Sequence, residues 1–133
     1  MNEYVRQQSA MLLRRLAFEV NRASRSADPD TIHDLRVAIR RLSRCLRLFS
    51  QFFPGRSWKK ARRRLTELMR SAAEVRDRDI AVRLLHEAGT PPEAAAIQSL
   101  SRQRHDAARR LVAELHGWKH AGFSRKWRQE LGL

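Results

Sequence analysis

The segment Thr31–Phe53, TIHDLRVAIRRLSRCLRLFSQFF, constrains the fold more than any other part of the chain, because it writes two stripes into one helix. Ile32, Leu35, Ile39, Leu42, Leu46, Phe49 and Phe53 recur in steps of three and four, the spacing that holds one helical face against a core. His33, Arg36, Arg40, Arg44 and Arg47 follow the same stepping, one to two positions out of phase. At roughly 100° per residue these five fall within an arc of about 80°, well round the helix from the apolar seam. A row of guanidiniums on a rigid rod matches a repeating anion better than it matches a single small ligand.

The remaining segments carry the same helical period. Residues 3–26 read as a first helix, with Val5, Leu12, Leu13, Leu16, Val20 and Ala23 on its inner side. Ser26-Ala27-Asp28-Pro29-Asp30 breaks it; Asp30 or Thr31 is expected to cap the second helix, and Pro54-Gly55 to end it. A third helix starts near Ser57, with Trp58, Ala61, Leu65, Leu68, Ala72 and Val75 inward. Its outward positions include Lys59, Lys60, Arg62, Arg63, Arg64 and Arg70. After Arg76-Asp77-Arg78-Asp79 comes a short apolar run, Ile80 to Leu85, and a stop at Gly89-Thr90-Pro91-Pro92. Asp77 or Asp79 is expected to cap that run as a separate helix, with Arg76 paired internally. A fourth long helix, from Pro92 to Leu115, should pack through Ile97, Leu100, Ala107, Leu111 and Leu115. The tail, residues 118–133, holds Trp118, Phe123 and Trp127 and reads as a short helix that docks back. The expected fold is therefore all-α. It is one domain over residues 1–133, an up-and-down antiparallel helical bundle of four long helices plus a short C-terminal helix.

Charge narrows the function. Lys and Arg number 28 against 14 acids, a formal net charge of +14. The excess is local, because residues 36–70 hold twelve Arg or Lys and a single acid, Glu67. Such a patch selects polyanionic partners: nucleic acid, anionic lipid or a phosphate polymer. The 24 Arg against 4 Lys favour phosphate, whose oxygens the planar guanidinium engages in pairs. No apolar stretch approaches the ~18 uncharged residues a membrane span needs, so membrane insertion is not expected. Arg6, Arg14 and Arg15 interrupt the first apolar residues, unlike a secretory signal. The lone Cys45 excludes an intramolecular disulfide and suits the cytoplasm.

Residues Ile32 to Phe49, IHDLRVAIRRLSRCLRLF, resemble the signature of the CHAD family, the conserved-histidine α-helical domain, which reads V-H-x-x-R-V-x-x-R-R-L-R-x-x-L-R-x-F. His33, Arg36, Val37, Arg40, Arg41, Leu42, Leu46, Arg47 and Phe49 fall on it. Downstream, Val75-Arg76-Asp77-Arg78-Asp79-Ile80 is similar to the family's A-R-D-x-D-V element. The resemblance covers residues 1–115 and has departures. Ser43 stands where Arg is usual, with Arg44 beside it; Ala73 replaces a frequent Gly, and Arg78 a usual apolar residue. CHAD domains commonly hold two related bundles flanking a basic channel, and only one signature is present here. A compact single-repeat member, a fragment of a longer protein and a homodimer that rebuilds the channel all stay open.

The resemblance implies non-enzymatic binding of inorganic polyphosphate, at polyphosphate granules in the cytoplasm. Because CHAD domains occur beside triphosphatase-type domains, it also implies a phosphate-metabolising enzyme as a partner. His33, Arg36, Arg40, Arg44 and Arg47 would line one wall of the groove, with Arg41 in support. Lys59, Lys60, Arg63, Arg64 and Arg70 would form the facing wall on the next helix. The alternative is a sequence-independent RNA or DNA backbone binder, since the charge suits either polymer. Against base readout, the basic helices lack the Asn, Gln and aromatic side chains it uses. No cofactor and no metal are expected: Asp77 and Asp79 lack a third carboxylate, and His86, His105, His116 and His120 have no partner at ligand spacing. No Gly-rich phosphate loop accompanies the 14 scattered acids, so no intrinsic catalysis is expected.

Overall fold

In the computed structural model, which describes residues 1–133, the doubly striped segment forms a helix packed between two others. The helices are α1 (Glu3–Arg25), α2 (Pro29–Leu48), α3 (Gly55–Glu87), α4 (Ala95–His120) and α5 (Phe123–Glu130). Each long helix packs on its neighbour in sequence, and α1 closes the ring against α4. Cross-links between the helices give their directions. Ser9 meets Cys45 and Arg22 meets Asp34 between α1 and α2; Glu74 meets Arg110 and Asp79 meets Arg104 between α3 and α4. In both pairs one number rises as the other falls, so the paired helices run antiparallel. One contiguous core is filled by fully buried leucines and isoleucines, among them Leu13, Leu16, Ile39, Leu42, Leu46, Leu65, Leu111 and Leu115.

Four boundaries differ from the sequence expectation. Asp28, not Asp30 or Thr31, caps α2, its carboxylate accepting from the Thr31 amide at 2.9 Å. Pro29 explains the choice: it has no N–H to satisfy and its fixed φ suits the first helical position. The helix ends at Leu48 instead of running to Phe53, and a single 3₁₀ turn follows over Ser50–Phe52. Phe53 lies before a proline and is therefore extended (φ −112°, ψ 151°), yet its ring still turns into the core. The third correction is the largest. The helix α3 runs unbroken through Arg76–Asp79 for 33 residues, so neither aspartate caps anything. No Gly or Pro stands between Gly55 and Gly89, and Asp79 is occupied laterally by Arg104 at 2.9 Å. Arg76 forms no ion pair there. Finally, α4 begins at Ala95, because Pro91 and Pro92 hold a turn, and it continues through Gly117 to His120.

Arg104 also donates to the Ala27 carbonyl, so one guanidinium ties α4 to α3 and to the α1–α2 loop. Cys45 is buried, with its Sγ 3.4 Å from Ser9 Oγ. The tail docks through Trp118, Phe123 and Trp127, whose rings meet edge-on with centroids 5.0 to 5.5 Å apart. No helix is long and apolar enough to cross a membrane.

Replacing fully buried Leu42 or Leu46 by Ala should cost about 2–5 kcal/mol in chemical denaturation. The Asp28 cap gives a pH signature. The Thr31 amide holds the Asp28 carboxyl below the ordinary carboxylate range. A depressed folded-state value stabilises above the unfolded value of about 3.9 and is lost as the pH falls through the folded one. The difference in Tm between wild type and Asp28→Ala should therefore be constant above about pH 5 and shrink below about pH 4.

Candidate polyanion-binding surface

The outward face of α2 is a ridge of unpaired cations. Seating Leu35, Ile39, Leu42 and Leu46 in the core leaves His33, Arg40, Arg44 and Arg47 exposed and Arg36 half-buried. None of the five takes part in an ion pair. From His33 to Arg47 the row spans about 21 Å, at 1.5 Å per residue. Asp34, the nearest acid on the helix, is held off by Arg22, whose Nη1 donates to it at 2.7 Å. Arg36 carries a further signal: its Nε is buried and has no hydrogen-bond partner. A buried donor without an acceptor is costly.

The ridge divides two grooves. On the α3 side a groove of about 310 Å³ is lined by Arg40, Ser43, Arg44, Thr66, Met69, Arg70 and the flank of Ala73. On the α1 side a groove of about 260 Å³ holds His33, Asp34, Val37 and Arg41 with Leu12 and Arg15. Arg41, which helical phase places outside the stripe, thus shares a groove with His33. Arg15 was not anticipated, since nothing in its own segment marks it as facing α2.

Of the five α3 residues expected to face α2, only Arg70 lines that groove. Lys59 and Arg63 are exposed, with Lys59 Nζ 5.8 Å from the Trp58 ring centroid. Lys60 and Arg64 lie on the opposite flank, where they line a groove of about 260 Å³ with α5. The Arg64 guanidinium sits 5.0 Å from the Trp118 ring centroid. The physical reason is the hand of the bundle. The apolar stripe of α3 gives its buried side, but only the tertiary arrangement decides which flank meets α2 and which meets α4 and α5.

The residue that does cross to α2 is Arg62, whose Nε donates to Ser43 Oγ at 3.3 Å. Ser43 occupies the signature position where an Arg is usual. The small hydroxyl admits the neighbouring helix's guanidinium, so a cation stands at this level all the same.

The second sequence element, Arg76–Asp79, lies where α3 meets α4, beside the first residue of α2. There a cavity of about 490 Å³ is lined by Pro29, Arg76, Asp79, Arg83, His86 and Arg104 among others. Asp79 is neutralised by Arg104, and Asp77 is exposed. No group of three His, Cys, Asp or Glu side chains is placed to hold a metal ion.

Two comparisons give nothing: no curated protein and no solved structure matches the chain. The third is decisive for the family. The family model described as the CHAD domain matches residues 8–132, nearly the whole length of these 133 residues and both signature elements with it, and the chain therefore belongs to the CHAD family.

Proposed function

We propose that the protein binds inorganic polyphosphate along α2 and does no chemistry on it. The family is associated with polyphosphate binding. The observation that carries the reading here is the unneutralised row Arg36, Arg40, Arg44 and Arg47 on one rigid helix. A linear phosphate polymer has a regular charge, no base to read and no apolar part. Its receptor needs cations at helical repeat distance, about 5.4 Å per turn, on elements stiff enough that little entropy is lost on binding. Both flanks of the ridge supply more cations, Arg70 and Arg62 from α3 and Arg15 and Arg41 from α1 and α2.

Two features separate this reading from its competitors. The large exposed aromatics, Tyr4 and Phe18, belong to α1, so the ridge itself has no stacking platform for unpaired bases. Phosphate-cleaving enzymes gather carboxylates to hold Mg²⁺ around the reacting phosphates. Along the ridge the only carboxylate in either groove is Asp34, and it is engaged by Arg22. An enzymatic role is accordingly assigned to a partner acting on polyphosphate, with this protein as the element that holds the polymer near it.

Replacing Arg36, Arg40 and Arg44 together by Ala should weaken binding of long-chain polyphosphate by at least about 100-fold, because each removes a charge-assisted contact. Far-UV circular dichroism should be unchanged, since none of the three is fully buried. A triple variant that binds as tightly as wild type would place the polymer elsewhere.

A further inference from the structure

The Lys60–Arg64 flank, displaced from the α2 groove, leads to a second set of cations. The turn between α4 and α5 borders an open surface cavity of about 830 Å³ lined by Lys119, His120, Arg125, Lys126 and Arg128 and by no acid. Residues 115–129 contain no Asp or Glu at all. None of the four Lys and Arg side chains in the cavity forms an ion pair. So dense a like-charge group raises the energy of the free protein, and the nearby acid, Glu130, lines the smaller adjoining groove rather than this one.

The hairpin is rigid. Trp118, Phe123 and Trp127 lock its inner side by mutual edge-on packing. Gly122 makes the turn at φ 65°, a left-handed conformation that other residues adopt only with strain. Lys119 is tethered to α1, its Nζ donating to Ser24 Oγ at 3.2 Å. The cations are therefore presented at fixed positions and are not a flexible tail.

A continuous path joins this cavity to the ridge. Around α3, at roughly 100° per residue, an arc of about 160° runs from Thr66 in the α2 groove to Arg64 beside α5. Between residues 59 and 70 that arc is filled by Lys59, Arg70, Arg63, Lys60 and Arg64, with Glu67 as the one acid; Glu74 and Asp77 continue the same face beyond it, Glu74 beside Arg110. Lys126 then lines both the Lys60–Arg64 groove and the hairpin cavity, so the two open onto the same side chain.

We propose that the α4–α5 hairpin is a second anchoring surface for linear polyphosphate, which crosses the outer face of α3 from the α2 ridge and ends on Lys119, Arg125 and Lys126. This inference rests on the polyphosphate reading of the ridge. It gives the single bundle a wrapped path that needs no second bundle, and it assigns a task to Lys60 and Arg64.

The test is a titration with long-chain polyphosphate at several salt concentrations, comparing wild type, Arg125→Ala/Lys126→Ala and Arg102→Ala/Arg109→Ala. The last pair removes the same charge from α4, at exposed residues that line none of the grooves described above. The α5 double variant should bind about tenfold more weakly or worse, and its slope of log K against log salt should fall by about 1.4–1.8, at 0.7–0.9 per lost contact. The α4 control should change that slope by less than about 0.5. Equal effects of the two double variants, or no effect of either, would overturn the second surface and leave the ridge standing. A wild type that binds no polyphosphate would instead overturn the functional reading and this one together.

Discussion

Burial of one apolar seam on α2 between α1 and α3 fixes the direction of every basic side chain on that helix. Leu35, Ile39, Leu42 and Leu46 can enter the core only if Arg36, Arg40, Arg44 and Arg47 project outward in a row. The cost of that row is mutual repulsion, which the hydrophobic seam offsets at about 1.5–3 kcal/mol for each fully buried Leu or Ile. In the proposed function, folding and binding share this one helix. Its inner face supplies stability, and its outer face carries the repulsion that a bound anion would relieve.

The acids are distributed in keeping with that division. Glu19 is fully buried with Arg15 and Arg22 at 3.6 and 3.4 Å, Asp34 is taken by Arg22, Asp79 by Arg104 and Glu74 by Arg110. These pairs join helices or stiffen one, and the Arg22 pair holds Asp34, the one carboxylate in the ridge grooves. The cations of the ridge, of the outer face of α3 and of the α4–α5 hairpin are left without them. Segregation of this kind builds a strong surface field from a sequence that still carries 14 acids.

Much of this was legible in the sequence, and the failures share a cause. The three-four stepping of apolar residues fixed the helices and most of the core, and helical phase alone placed His33, Arg40, Arg44 and Arg47 outward. What periodicity cannot supply is the packing between elements. Lys60 and Arg64 were expected opposite α2 and face α5, because which flank of a helix meets which neighbour depends on the hand of the bundle. Arg62 and Arg15 were overlooked for the same reason: each reaches a groove made with another helix. The aspartates of Arg76–Asp79 resemble caps locally, but a lateral partner 25 residues away, Arg104, claims Asp79 and lets α3 continue. The Asp28 cap could have been found from the Pro29 that follows it, a local signal that Asp30 and Thr31 obscured.

The most direct test of a dedicated phosphate-polymer receptor is competition at equal phosphate concentration. Labelled long-chain polyphosphate is bound to the purified protein at near-physiological salt and challenged with excess duplex DNA or tRNA. Retention of the polyphosphate under both challenges is the expected result, because the ridge offers closely spaced guanidiniums and no base-stacking surface. Displacement by either nucleic acid at equal phosphate would contradict it and reduce the ridge of α2 to a general polyanion patch.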